Sequence, residues 1–168
     1  MPGCGKTSVG KALAQLLGWS FIDSDAQIRT STGVDISTIF ELEGEAGFRR
    51  RETETIAQLA QVRQSIVATG GGSVLADENR DLMKAEGTVV YLRTPRSTLL
   101  RRIRKDKTRP LLRDGNLEAK LDAMLETRTP LYESVCDIRI DTENRVAHQI
   151  AQEIVGKILP IGDSTPTN

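Results

Sequence analysis

Gly3-Cys4-Gly5-Lys6-Thr7 has the makeup of the second half of a phosphate-binding loop, whose full signature is G-x-x-x-x-G-K-[ST]. Glycines let successive backbone N–H groups face a polyphosphate, and the N-terminus of the following helix adds positive potential. Lys6 is placed to reach β- and γ-phosphates, and the Thr7 hydroxyl to ligate Mg²⁺. Gly3, Cys4, Gly5, Lys6, Thr7 and Ser8 form the candidate triphosphate cradle. Counting back from Gly5, the first glycine of the signature would fall one place before Met1, so the fragment is formally incomplete. An ordinary glycine turn is the competing reading, but a loop opening directly into an amphipathic helix is the context the motif requires.

Phosphoryl transfer also needs an acid near the metal and a group to orient or deprotonate the attacking hydroxyl. Phe21-Ile22-Asp23-Ser24-Asp25 supplies two carboxylates two residues apart, which an extended chain would point the same way. Asp23 is the candidate metal contact, since the later strand over 65–69 carries no acid; an Asp-Ser-Asp turn capping a helix is the alternative. Gly70-Gly71-Gly72 removes every side chain over three residues, so a ligand could approach the backbone, unless this is simply a flexible turn. Arg49, Arg50 and Arg51 fan out on a helix, and only one of them need face a cleft. Seven basic residues between Arg101 and Arg113 oppose the single acid Asp106, and Arg109-Pro110-Leu111-Leu112 reads as a cationic lid over a triphosphate. Such a lid excludes water and prevents wasteful hydrolysis; RNA-backbone binding competes weakly, for want of an aromatic platform.

These groups need a scaffold that gathers them. Val9, Ala12, Leu13, Leu16 and Leu17 recur at helical spacing up to Gly18. Strand-like runs follow at 19–23, 65–69, 88–92 and 137–141, with helical stretches at 45–61, from a cap at Asp77 through Met83, at 117–131 and at 145–159. Alternating strands and helices predict an α/β fold, a parallel sheet with helices on both faces and ligands at the carboxyl ends of its strands. A phosphate loop normally follows a buried strand, so an upstream strand before an internal Met1 is expected here.

Composition narrows the class. The 168 residues suit one domain, with 27% charged and 38% hydrophobic residues of a soluble globular protein. Lys plus Arg (23) balances Asp plus Glu (23), which removes the basic excess of a nucleic-acid or anionic-membrane binder. Cys4, Cys136 and the single His148 make no zinc site, and reduced thiols fit a cytoplasmic setting. No apolar run approaches ~20 residues, so a membrane span is not expected. Residues 161–168 read as a disordered tail, and a monomer is the default.

The order of these pieces resembles the shikimate kinase family. The match runs from Gly3 to about Thr142: Gly-Cys-Gly-Lys-Thr, Phe-Ile-Asp-Ser-Asp, Ile39-Phe40 with Gly44-Glu45 and Phe48-Arg49-Arg50, Gly70-Gly71-Gly72, Arg109-Pro110-Leu111-Leu112, Arg128-Thr129-Pro130-Leu131-Tyr132 and Ile140-Asp141-Thr142. The resemblance implies a three-layer P-loop NTPase fold whose parallel sheet has five strands ordered 2-3-1-4-5, strand 1 being the one outside this chain. It implies a single kinase domain over 1–160, with a shikimate-binding subregion near 24–52 and a lid near 103–116. It implies transfer of a phosphoryl group from ATP, with Mg²⁺, to the 3-hydroxyl of shikimate. Residue by residue, Lys6 and Thr7 would serve ATP and the metal, with Asp23 at its water shell. Asp25 would hold the attacking hydroxyl, Arg49 and Arg128 the substrate carboxylate, and Gly70, Gly71 and Gly72 would offer backbone. Phe40 and Phe48 would wall the ring, Arg109 would neutralise the moving phosphate, and Arg102 with Thr142 would flank adenine. Thr129 stands where alanine is common, and the residues after Thr142 lack a proline often seen beside adenine. Another small-metabolite kinase, of gluconate or nucleotide type, and a non-catalytic binding protein remain the alternatives.

Overall fold

A computed structural model describes residues 1–105 and 116–159. The phosphate-loop segment opens directly into α1 (Lys6–Leu17), which buries Val9, Leu13 and Ala14 and ends where Gly18 turns left-handed. β1 (Ser20–Asp23) leads without a loop into α2 (Ser24–Thr32). α3 (Ile36–Ala60) is broken at Gly44, whose φ of 69° no helix accommodates, so 36–43 and 45–60 are two rods meeting at a glycine. β2 (Ser65–Ala68) runs into the triple glycine and a 3-10 turn at Ser73–Leu75. Then come α4 (Asp77–Glu86), β3 (Val90–Arg93), α5 (Arg96–Lys105), α6 (Leu117–Val135), β4 (Ile138–Asp141) and α7 (Ala147–Ile158).

All four strands foreseen from the sequence form, and all pair in parallel. They make two separate pairs. β1 lies beside β2 in register Ser20 to Ser65 through Asp23 to Ala68, and β3 beside β4 in register Val90 to Ile138 through Arg93 to Asp141. Between β2 and β3 runs a cleft of about 390 Å³, and no strand hydrogen bond crosses it among the described residues. The main core joins α1, α5, α6 and α7 with β3 and β4 through Val9, Leu13, Leu99, Ile103, Leu121, Ile140 and Ile154. A small second cluster, Ile28, Ile39 and Phe48 with Ile36 and Phe40 against it, holds α2 to α3.

Three expectations change. Asp25 is not on an extended strand: β1 ends at Asp23 and Asp25 lies in the first turn of α2, because Asp23 caps that helix by accepting from the Ala26 amide at 3.1 Å. Asp77 is not a cap but the first residue of α4, its carboxylate paired with Arg80 at 2.7 Å. The basic run is not all lid, since Arg101, Arg102, Arg104 and Lys105 ride on α5, which buries Leu99, Leu100 and Ile103. Lys107, Arg109 and Arg113, most of the expected lid and the tail at 161–168 lie outside the described residues.

Candidate active site

The phosphate loop takes its shape from two left-handed glycines, Gly3 at φ 75° and Gly5 at φ 96°, the second serving as the residue before α1. The Arg102 guanidinium, from α5, donates to the Gly3 carbonyl at 3.0 Å and so braces the loop from outside. Lys6 donates to the Met1 carbonyl at 2.9 Å, with the Cys4 sulfur 3.9 Å away. Cys4 is buried; burial pushes its thiol up, but Lys6 and the Met1 amine more than offset that and leave it lowered. The Met1 amine itself is buried against the Tyr132 hydroxyl at 3.1 Å, and burial pulls it down from 8.0 to about 5. Across the mouth of the loop, the Thr7 hydroxyl donates to Asp23 at 3.5 Å. Asp23 therefore both caps α2 and faces the loop, so the two readings of this acid are compatible.

Facing the phosphate loop, the triple glycine collects side chains from three helices, α2, α3 and α6. The Gly70 amide donates to the buried Ser24 hydroxyl at 3.0 Å. A Cβ on Gly70 would lie 2.7 Å from Glu52 Oε1 and 2.8 Å from Asp25 Oδ1, so only a glycine leaves room for both carboxylates. A Cβ on Gly72 would lie 2.5 Å from the Arg49 guanidinium, which packs flat against that backbone. Gly71 turns its carbonyl to α6, where Tyr132 donates at 2.5 Å and Arg128 at 3.2 Å. Burial pushes the Tyr132 phenol up, which keeps it a donor at neutral pH. Asp25, Arg49 and Arg128 thus converge on one three-residue loop at the carboxyl end of β2, as ligand sites do in parallel sheets.

Arg49 is held by a residue that the sequence did not single out. Glu52, only 1% exposed, accepts from Arg49 at 2.6 Å and from the Ser73 hydroxyl at 2.7 Å. A buried carboxylate with a guanidinium and a hydroxyl on its oxygens is compensated; burial pulls the Arg49 pKa down, but Glu52 and Glu45 more than offset that and leave it raised. Arg49 also covers the Phe48 ring at 5.4 Å, and Phe48 stacks on Phe40 with centroids 4.7 Å apart. Arg51 instead pairs with Glu43 at 2.7 Å across the Gly44 break. Thr142 is buried, its hydroxyl bonded to that of Thr94 at 2.6 Å where β3 and β4 end. Arg104 on α5 meets Glu118 on α6 at 2.6 Å, joining the two ends of the segment that contains Arg109.

The oxygens of Thr7 and Asp23 suit a hard cation that retains waters and binds phosphate, as Mg²⁺ does. Among the described residues no group of three His, Cys, Asp or Glu side chains could form a closed metal cage. No described helix is long and apolar enough to cross a membrane.

A model of the shikimate kinase family matches residues 2–159. The chain belongs to the shikimate kinase family. A shikimate kinase of Halorhodospira halophila is 50% identical over 153 residues, covering 91% of this chain and 86% of the relative. One of Nitrosomonas europaea is 46% identical over 158 residues, covering 94% of this chain and 75% of its own. Among solved structures, the shikimate kinase of Acinetobacter baumannii in complex with shikimate superposes with a TM-score of 0.90 at 46% identity, covering 95% of this chain and 89% of that one. The Aquifex aeolicus enzyme gives 0.80 at 31%, covering 94% of each. The chain is accordingly a kinase with the family's shikimate kinase-like α/β fold, an enzyme of ATP-dependent shikimate phosphorylation in aromatic biosynthesis.

Proposed function

We propose that this chain transfers the γ-phosphoryl group of ATP to the 3-hydroxyl of shikimate, with the triple-glycine loop as the acceptor site and the phosphate loop as the donor site. The observation that carries this reading is the convergence of Asp25, Arg49 and Arg128 on Gly70 to Gly72. Arg49 and Arg128 take the acceptor carboxylate, for which the planar guanidinium fork is suited. Phe40 and Phe48 wall the ring, and the glycines bring main chain up to it. Asp25 accepts the proton of the attacking hydroxyl as its oxygen bonds to the γ-phosphorus and the bond to the β-phosphate oxygen breaks, releasing ADP. Lys6 and the loop amides hold the β- and γ-phosphates through the transfer. Thr7 and Asp23 are the residues that would hold Mg²⁺, which when bound supplies charge neutralisation on the phosphates. Arg109 is assigned to the moving phosphate, and Arg102 with Thr142 to the adenine side.

The same reading takes 1–160 as one domain with a monomeric, cytoplasmic life. It also gives the sheet five strands in the order 2-3-1-4-5. The two parallel pairs are then its flanks, and the cleft between β2 and β3 is the place of the central strand. A coupled ADP-release assay with shikimate, gluconate and nucleoside monophosphates tests the substrate. Turnover with shikimate alone is expected, and turnover with gluconate alone would replace this reading.

A further inference from the structure

The 3-10 turn that follows the triple glycine is held through both its amides and its carbonyls. The Ser73 amide donates to the Gly70 carbonyl at 3.2 Å, and the Leu75 amide to that of Gly72 at 2.9 Å. From α4, Asn79 Nδ2 donates to the Ser73 carbonyl at 3.0 Å and Arg80 to the Val74 carbonyl at 2.6 Å. Ser73 and Asn79 are both fully buried. With its amide and carbonyl tied down, Ser73 keeps one freedom, the side-chain rotation that aims its hydroxyl. That hydroxyl donates to Glu52 Oε1 at 2.7 Å.

Glu52 is thus shared between two partners, one on each oxygen: Oε1 takes the Ser73 hydroxyl, and Oε2 takes Arg49 Nη1 at 2.6 Å. A partner on each side fixes the plane of the carboxylate and with it the direction from which Arg49 is gripped. A Cβ on Gly70 would meet Glu52 Oε1, Asp25 Oδ1 and Ser73 Oγ within 3.3 Å, so these three groups crowd one face of that glycine. An ionised Asp25 gives Glu52 no hydrogen and repels it, whereas the serine offers one. A carboxylate only 1% exposed has no bulk water to fall back on, so a lost donor has to be replaced from within the protein. The N–H groups already in contact with it are those of Arg49.

We infer that Ser73 is a positioning residue for acceptor binding: its hydroxyl occupies Glu52 Oε1 and so keeps Glu52 from spreading over the Arg49 N–H groups that the acceptor carboxylate needs. Without it, Glu52 turns both oxygens to Arg49 and competes with the acceptor for one guanidinium. Glu45, which holds the Nε and Nη2 edge of Arg49 at 3.3 and 3.1 Å, is no such competitor, because at 66% exposure its pairing is weak enough to yield to an incoming carboxylate. The buried Glu52 does not yield in this way. The inference rests on Arg49 taking the acceptor carboxylate, as proposed above, and it concerns binding rather than turnover.

The test measures dissociation constants by titration calorimetry on the full 168-residue chain and its variants, which needs no turnover. Ser73→Ala should weaken shikimate roughly 3–30-fold, a part of the worth of a charge-assisted hydrogen bond, and change ATP by less than about twofold. Shikimate methyl ester, which lacks the charge, should bind both chains equally, and in an Arg49→Ala background the serine substitution should have no further effect. A role confined to stability would lower the melting temperature and leave these selectivities alone. Ser73→Cys, of similar size but a weaker donor, should show a smaller loss of the same kind, and it carries the test if the alanine variant does not fold. Unchanged shikimate affinity, an equal loss for the ester, or a loss that persists without Arg49 would each overturn the inference. Shikimate binding that is indifferent to Arg49→Ala would instead overturn the acceptor reading on which it rests.

Discussion

In the phosphate loop, Gly3 and Gly5 hold φ angles of 75° and 96°, and a Cβ on Gly5 would meet nothing closer than Arg102 at 4.0 Å. In the triple-glycine loop none of Gly70, Gly71 and Gly72 has a positive φ, yet a Cβ on Gly70 or Gly72 would lie within 3 Å of Asp25, Glu52 or Arg49. The first loop needs glycine for conformation, so that its amides turn toward phosphate. The second needs glycine for clearance, so that charged side chains from distant elements can press onto main chain. Glycine content therefore marks both loops and explains neither; the backbone angle and the neighbours decide which demand is being met.

The largest expected effect separates the chemistry of the two loops. Asp25→Asn should lower kcat roughly 10²–10⁴-fold in the ADP-release assay while leaving ATP binding within a few-fold. Near-full turnover would remove Asp25 from the proton transfer.

Clearance and conformation then give opposite signatures. Gly72→Ala should displace Arg49 and raise the shikimate KM by roughly 10–100-fold, the worth of a charge-assisted hydrogen bond, with the ATP KM little changed. Gly5→Ala should cost about 1–2 kcal/mol of left-handed strain, lowering the melting temperature by roughly 2–8 °C and weakening ATP more than shikimate. If the two variants showed the same KM pattern, the contrast between the loops would be lost. The smallest effect is Tyr132→Phe, which removes the donor to Gly71 and the acceptor for Met1. A loss of about 1 kcal/mol in urea unfolding is expected.

Legibility followed the distance over which each feature is encoded. The phosphate loop, α1 and the four strands were readable because a handful of adjacent residues specifies each one. α2 was missed because Ile28 is its one buried apolar residue, which leaves no period to detect. α5 was hidden because charge dominates its sequence, although Leu99, Leu100 and Ile103 form its buried stripe. The break at Gly44 carried no signal beyond the glycine, and the start of α3 at Ile36 was passed over with it. At the acceptor site, Asp25 was singled out for its type but placed on the wrong element. Glu52 and Ser73 were invisible, since nothing local says that a glutamate in a charged helix will be buried under an arginine.

By itself the sequence determined the chemistry on offer: a lysine and threonine in a glycine loop, two acids after a strand, a triple glycine, and arginines in an order that matches one kinase family. These are short-range facts of spacing, which chain connectivity preserves whatever the fold. The tertiary structure alone decided the neighbours. It laid Arg49 on Gly72, closed Glu52 beneath it, brought Arg128 and Tyr132 across about sixty positions to Gly71, and left β2 and β3 facing each other across a cleft. Such contacts depend on how helices and strands pack around a core, and close packing joins residues whose separation along the chain carries no trace of it.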